Sequence, residues 1–117
     1  MIDYNKCAGC KACITACPYE ARAYVEEIRG YYGDVLTPYE EFGYKKHQKG
    51  VVEKCNFCYE RLQKGLEPAC VEVCPTSCRY FGDLDDPNSE VSKLLRARYS
   101  FQLLAELGTQ PSVSYLS

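Results

Sequence analysis

Two groups of four cysteines, each ending in Cys-Pro, constrain this chain more than any other feature of its sequence. The first group follows the spacing C-x2-C-x2-C-x3-C-P and consists of Cys7, Cys10, Cys13 and Cys17. The second follows C-x2-C-x11-C-x3-C-P and consists of Cys55, Cys58, Cys70 and Cys74. Three thiolates at intervals of three residues can surround one face of an iron–sulfur cubane, and a fourth cysteine beyond a helical turn points toward another cluster. The spacing therefore predicts two [4Fe–4S] clusters.

The same geometry predicts that the two motifs exchange their last cysteines. The ligands of cluster 1 are then Cys7, Cys10, Cys13 and Cys74, and those of cluster 2 are Cys55, Cys58, Cys70 and Cys17. Structural zinc and disulfides are the alternatives. Zinc favours two separated cysteine pairs over three equally spaced cysteines, and a framework of disulfides would leave one of the nine cysteines unpaired.

The two halves of the chain contain an internal repeat. The first repeat, Cys13–Tyr24, aligns with the second repeat, Cys70–Phe81, so that both Cys-Pro pairs and both arginines coincide. The ninth cysteine, Cys78, falls at the position of Ala21, which binds no metal. We therefore expect Cys78 to be a small buried side chain, with ligand exchange or a redox role as the alternative.

Composition limits the remaining choices. The chain has 117 residues, the length of one domain. Its hydrophobic fraction of 46% counts 9 cysteines and 11 tyrosines, so ordinary core formers are few and metal is needed for stability. The net charge of −2 argues against nucleic-acid binding. No apolar run could span a bilayer or serve as a signal peptide, which predicts a cytoplasmic protein, or one on the periplasmic membrane face if an exported partner carries it.

Sequence patterns predict an α+β fold: a two-cluster bacterial ferredoxin-like module with short antiparallel strands, small helices and a C-terminal helical extension. The module comprises residues 1–85, with a Tyr-rich loop or hairpin excursion at about 26–50, and the docking extension comprises 86–117. The predicted strands are Met1–Tyr4, Ala23–Glu26, Gly50–Glu53 and Arg79–Gly82. A short helix is expected at Tyr59–Lys64, ended by Gly65.

The C-terminal extension carries helix signals and no cysteine. Asp86 and Pro87 resemble a cap and a first helical residue, and apolar residues recur at helical spacing after them. A second helix is predicted over Phe101–Leu107 with Gly108 as its stop, while Pro111–Ser117 shows no signal of order. His47, the single histidine, lies in a Lys-rich run typical of a solvated loop. No nucleotide-binding or nucleophile motif occurs, so the chain is predicted not to be an enzyme in itself.

Five segments of the sequence resemble one known family. They are Cys7–Tyr19, Glu53–Arg61, Gly65–Thr76, Phe81–Val91 and Leu107–Val113. Together they are similar to the electron-transfer subunits of the molybdopterin oxidoreductase (dimethyl sulfoxide reductase) family, most of all the polysulfide and thiosulfate reductase branch. The resemblance implies a relay of electrons between a large molybdenum or tungsten catalytic subunit and a quinone-reactive membrane anchor subunit, as in anaerobic respiration.

This chain departs from that family in the number of motifs. Members usually carry four cysteine motifs, in which the fourth shares ligands with the first and the third with the second, whereas this chain resembles the third and fourth alone. Either its two motifs pair with each other, or it is half of a four-cluster subunit. Two other functions remain open, a stand-alone soluble ferredoxin and a zinc-stabilised interaction module.

Overall fold

The computed structural model describes all 117 residues as two compact units, Met1–Asn56 and Phe57–Ser117. Short helices and two-residue strands make it a small α+β protein, as predicted, and no helix is long and apolar enough to cross a membrane. The first unit contains α1 (Ala12–Thr15), β1 (Ala23–Tyr24), α2 (Pro38–Tyr44) and β2 (Val52–Glu53). The second contains α3 (Tyr59–Leu62), α4 (Ala69–Glu72), α5 (Glu90–Ala97), β3 (Ser100–Phe101), a 3-10 turn (Ala105–Leu107) and β4 (Tyr115–Leu116). The predicted division into residues 1–85 and 86–117 stays a prediction.

The core of the first unit is an antiparallel pair of strands. Tyr24 of β1 lies opposite Val52 of β2, and reciprocal bonds between Val25 and its partners, from Val25 N–H to the Val51 carbonyl and from Gly50 N–H to the Val25 carbonyl, extend the pairing at 2.9 and 2.8 Å. Val51 and Val52 are almost completely buried. The two strands lie within the predicted Ala23–Glu26 and Gly50–Glu53, which confirms those two assignments.

The excursion at 26–50 is more regular than predicted, because it contains α2. Thr37 caps the helix and Pro38 begins it, and the Thr37 Oγ1 accepts a hydrogen bond from the Glu40 N–H at 3.3 Å. The Glu40 carboxylate accepts one in return from the Thr37 N–H at 2.8 Å, which completes a capping box. It also accepts a bond from the Tyr31 N–H at 2.7 Å and so ties the preceding loop to the helix.

Two of the predicted strands do not form. Met1–Tyr4 turns instead of extending, because Asp3 accepts hydrogen bonds from the amides that follow it. Its carbonyl accepts from the N–H groups of Lys6 and Cys7, and its side chain from that of Asn5. Arg79–Gly82 has no strand geometry either.

Helix α5 begins later than the sequence suggests. Ser89 is its N-cap and accepts a hydrogen bond from the Ser92 N–H at 3.2 Å. Asp86 instead closes the preceding turn, where its side chain accepts from the Asn88 N–H and its carbonyl from the Ser89 N–H. The prediction of Asp86 as cap and Pro87 as first helical residue was therefore wrong by one turn, since an aspartate that bonds its own local backbone favours a turn as readily as a cap.

The end of the chain forms a hairpin where a helix and an unordered tail were predicted. β3 pairs antiparallel with β4, and the rings of Phe101 and Tyr115 stack with centroids 5.4 Å apart. Of the predicted helix at 101–107, only the 3-10 turn Ala105–Leu107 forms, and Gly108 ends it at φ 63° as expected. Aromatic pairs across strands stabilise such hairpins, and Tyr115 supplies the partner within the tail.

Candidate metal centre

The internal repeat is a structural repeat around each Cys-Pro pair. Helices α1 and α4 occupy equivalent positions in the two repeats. The Cys17 N–H bonds the Ile14 carbonyl at 3.1 Å, and the equivalent Cys74 N–H bonds the Val71 carbonyl at 3.1 Å. We call the turn that follows, 17–21, the first elbow, and its equivalent, 74–78, the second elbow. Both elbows contain a residue in the left-handed region at the same place, Glu20 at φ 50° and Ser77 at φ 49°.

Cys7 and Cys10 lie on a loop fixed against the strand pair, and Cys13 lies in α1 just after it. The Cys7 Sγ accepts a hydrogen bond from the Val52 N–H at 3.5 Å, so this thiol is bound to the buried strand β2. Gly9, at φ 65°, lies so close to the Gly50 carbonyl that a Cβ would overlap its oxygen. Cys10 and Cys13 are exposed. The sequence therefore needs a glycine here, because no other side chain fits between the cysteine loop and the strand connection.

Cys17 is half-buried and its sulfur is surrounded by donors. Backbone N–H groups of Ala21 and Tyr19 donate to it and lower the pKa of the thiol, and the Arg22 guanidinium adds a smaller favourable interaction with the thiolate. Hydrogen bonds and a nearby cation favour the charged form of a thiol, which is the form that binds iron.

The segment from Cys58 to Glu72 contains two short helices that an ion pair joins. Cys58 is the N-cap of α3, and Cys70 lies in α4. Arg61 of α3 makes an ion pair with Glu72 of α4, and its Nε donates to the Glu67 carbonyl at 2.8 Å. The predicted helix at Tyr59–Lys64 is confirmed as Tyr59–Leu62, followed by a left-handed Gly65 at φ 71°. Sequence analysis did not single out Arg61, because its role depends on where the fold places Glu67 and Glu72.

Cys74, the last cysteine of the second motif, has its own set of donors. The Thr76 Oγ1 lies 3.5 Å from its sulfur and the Cys78 Sγ lies 3.6 Å from it. The Thr76 hydroxyl, followed by the Cys78 backbone N–H, lowers the pKa of Cys74 to about 6. At neutral pH this thiol is therefore mostly a thiolate, the form that binds iron.

The donor set of both motifs fits an iron–sulfur centre. None of the nine cysteines forms a disulfide, and Cys7, Cys17, Cys58 and Cys74 are half-buried while the other five are exposed. No three Cys, His, Asp or Glu side chains converge on one single-ion position. In a cubane each thiolate binds a different iron, so its four ligands are spread over the cluster's corners instead of converging on one point. The grouping of the eight cysteines into two sets stays a prediction.

Two single residues differ from their predicted setting. Cys78 is exposed, so the expectation that it is buried was wrong. His47 is largely solvated as predicted, but it is also bound: its Nδ1 lies 2.8 Å from both carboxylate oxygens of Glu53, and its ring lies edge-on to that of Tyr44 at 5.7 Å. These contacts attach the Lys-rich run to β2, and no local sequence signal indicates them.

Two family matches together cover both cysteine motifs. A 4Fe-4S binding domain matches residues 1–23, and a 4Fe-4S dicluster domain matches residues 34–84. The first match contains the whole first cysteine motif, and the second contains the whole second motif.

The chain is also similar to named subunits of respiratory and sulfur-metabolising enzymes. It is 45% identical to a protein assigned as the iron–sulfur subunit of a dimethyl sulfoxide reductase in Halobacterium salinarum, over 99% of this chain and 43% of that one. A subunit of the selenate reductase of Mesobacillus selenatarsenatis is 39% identical over 99% and 44%, and a subunit of the sulfite dehydrogenase of Allochromatium vinosum is 38% identical over 99% and 42%. The chain spans less than half the length of these relatives.

Proposed function

We propose that this chain, which belongs to the iron–sulfur subunits of the molybdopterin oxidoreductase family and binds [4Fe–4S] clusters, carries two such clusters and relays electrons between a molybdopterin catalytic subunit and a quinone-reactive membrane subunit. The observation that carries this proposal is the duplicated elbow. The same backbone bonds and the same left-handed residue follow Cys13 and Cys70. A binding geometry that occurs twice in one chain supports one cluster for each cysteine motif.

We assign the ligands as the spacing predicts. Cluster 1 takes Cys7, Cys10, Cys13 and Cys74, and cluster 2 takes Cys55, Cys58, Cys70 and Cys17. This grouping is supported by the turn between Cys13 and Cys17, and between Cys70 and Cys74, which separates each last cysteine from the loop before it. Pairing with a further half of the protein is the alternative, because the relatives are more than twice as long.

The chain's own residues hold and tune the thiolates. Bound clusters supply one-electron transfer, and the protein supplies ligands and hydrogen bonds to sulfur, which raise the reduction potential. Such donors are Val52 N–H at Cys7, Ala21 N–H at Cys17 and the Thr76 hydroxyl at Cys74. No residue here is assigned to substrate chemistry, so the subunit is non-catalytic in this proposal.

The proposed partner is a large molybdopterin catalytic subunit, and a membrane anchor subunit completes the complex. The chain works in the same compartment as that enzyme.

Apolar side chains of the C-terminal extension divide into two groups. Val91, Leu94 and Leu95 of α5 are half-buried within the second unit, whereas Leu103, Leu104 and Leu107 are exposed. Exposed leucines that are clustered in one segment are typical of an interface, and a free ferredoxin has no use for them.

Metal and sulfide analysis tests the cluster proposal directly. After anaerobic reconstitution of the full chain we expect about eight iron and about eight acid-labile sulfide per chain, as two cubanes require. Stoichiometric zinc without sulfide would instead establish the zinc-stabilised module.

Charge substitution within the exposed segment tests the partner. Tagged Leu107→Asp, isolated from its native host, should carry much less co-purifying molybdenum or tungsten than the unchanged chain. Leu66→Asp is the matched control, because Leu66 is 48% exposed and Leu107 53%, and both belong to the second unit. Equal metal in all three preparations would favour the stand-alone ferredoxin.

A further inference from the structure

The second elbow contains a pair of thiols that the first elbow lacks. Cys78 occupies the position of Ala21, and its Sγ lies 3.6 Å from the Cys74 Sγ. The elbow backbone holds the two together, because the Ser77 N–H bonds the Cys74 carbonyl at 3.2 Å. Cys78 is exposed to solvent. Nothing in the cluster assignment uses this sulfur.

We propose that Cys78 and Cys74 form a reversible disulfide whenever Cys74 is not bound to iron. Their sulfurs are in van der Waals contact at 3.6 Å, and a disulfide requires them to approach to about 2.05 Å. The pairing rests on the proposed function in one respect, since Cys74 is free only when its cluster has been lost.

The oxidation balances as a thiol–disulfide exchange with a small disulfide such as oxidised glutathione. One thiolate of the pair attacks the glutathione disulfide, forms a mixed disulfide and releases one glutathione thiolate. The second thiolate of the pair attacks the protein sulfur of that mixed disulfide, closes the Cys74–Cys78 bond and releases the second glutathione. Two electrons pass from the two cysteines to the glutathione disulfide, and an excess of reduced glutathione returns both thiols by the reverse exchange.

This disulfide protects the ligand. A thiolate that is not bound to metal and that solvent reaches is oxidised through sulfenic acid to sulfinic and sulfonic acids, which no longer bind iron. Closure to a disulfide stops that sequence at a reversible stage. The first elbow has Ala21 instead of a second thiol, so Cys17 must use a more distant thiol or remain open to oxidation.

The test uses the full chain, stripped of metal anaerobically with a chelator and then treated with oxidised glutathione. Peptide mass mapping should find Cys74–Cys78 as the dominant disulfide of Cys74. Cys70–Cys74 is the internal comparison, because it encloses a loop of the same length. We expect several-fold more of the Cys74–Cys78 product, whereas equal yields of the two would overturn the proposal, since a disordered chain would produce both alike.

Two variants test the mechanism from opposite sides. Cys78→Ala should leave Cys74 as a mixed disulfide with glutathione and should recover fewer clusters after oxidation and reduction than the unchanged chain. Ala21→Cys should gain a disulfide between Cys17 and the introduced thiol. If neither variant changes the disulfide map, the pairing is wrong. The ligand role is judged separately, by the iron content of Cys74→Ala before any oxidation.

Discussion

The first and second elbows have the same backbone turn, but different groups surround the cysteine sulfur in each. In the first elbow, Cys17 is stabilised mainly by backbone N–H groups and by Arg22. In the second, Cys74 is stabilised first by the Thr76 hydroxyl and lies beside a further thiol. The difference indicates that the backbone turn is required for ligand placement, whereas the side chains around the sulfur vary and adjust its charge, its potential and its chemistry after cluster loss.

Removing either ligand of this pair should have the largest effect. Cys17→Ala and Cys74→Ala should each lose about half of the bound iron, since in the proposed assignment each elbow gives one thiolate to one cluster. Iron and sulfide analysis after anaerobic reconstitution measures this. Cys78→Ala is the control and should keep all the iron. Full iron in one elbow variant but not in the other would break the equivalence of the two elbows.

The glycine of the first motif is the next test. Gly9→Ala places a methyl group against the Gly50 carbonyl. We expect the free energy of unfolding to fall by several kcal/mol and the iron of cluster 1 to be lost. Gly33→Ala is the matched control, because Gly33 also has positive φ but has open space around its Cβ position. It should cost only about 1 kcal/mol of backbone strain. Similar melting temperatures for the two variants would contradict the close approach.

The first motif has no counterpart of Arg61. A change at Arg61 therefore tests the second motif, with the first as the comparison. Arg61→Ala removes the brace between α3 and α4, which we expect to destabilise that segment by about 1 kcal/mol, because the pair is partly solvated. In a chelator, half of the iron should then leave faster while the other half is unaffected. Lys64→Ala, an exposed change in the same turn, should leave both rates unchanged.

The smallest effect lies outside both elbows, in α2. Bonds from Thr37 and Tyr31 lower the pKa of Glu40 below its ordinary value of 4.5, so its charged form stabilises the helix above that pH and the contribution disappears as pH falls through the lowered pKa. Glu40→Gln should therefore increase amide exchange in α2 at neutral pH, with a difference from the unchanged chain that shrinks in acid. Glu41→Gln, a change in the same helical turn that removes no capping-box bond, is the control, and neither variant should lose iron.

The cysteine spacing indicated most residues of the candidate site, but few of the residues that support them. The repeat was readable because the cysteine spacing is local in sequence, and the eight ligand positions predicted from that spacing stay a prediction. Arg61 and Thr76 were not recognised, since their roles depend on where α4 and the second elbow place neighbouring groups. Cys78 was placed by alignment with Ala21, which predicted its position correctly and its exposure wrongly.

The fold was predictable where a local signal acts alone. Gly65 and Gly108 ended their helical turns as expected. The hairpin of β3 and β4 was not, because strands of two residues carry no periodicity and their pairing depends on distant Phe101 and Tyr115. Thr37, Pro38 and Glu40 form the sequence pattern of the α2 capping box. The glycines and tyrosines around them favoured a loop or hairpin instead.

The near absence of a buried core has a consequence for how long the protein lasts. Val51 and Val52 are the two aliphatic side chains that are almost fully buried, and the longest helix has eight residues. A chain with so little apolar burial depends on its cofactors for folding free energy, by mass action. The folded chain is therefore most stable with its clusters bound, and a cell short of iron or sulfide would hold less of it, because the chain without clusters unfolds more readily and is degraded sooner.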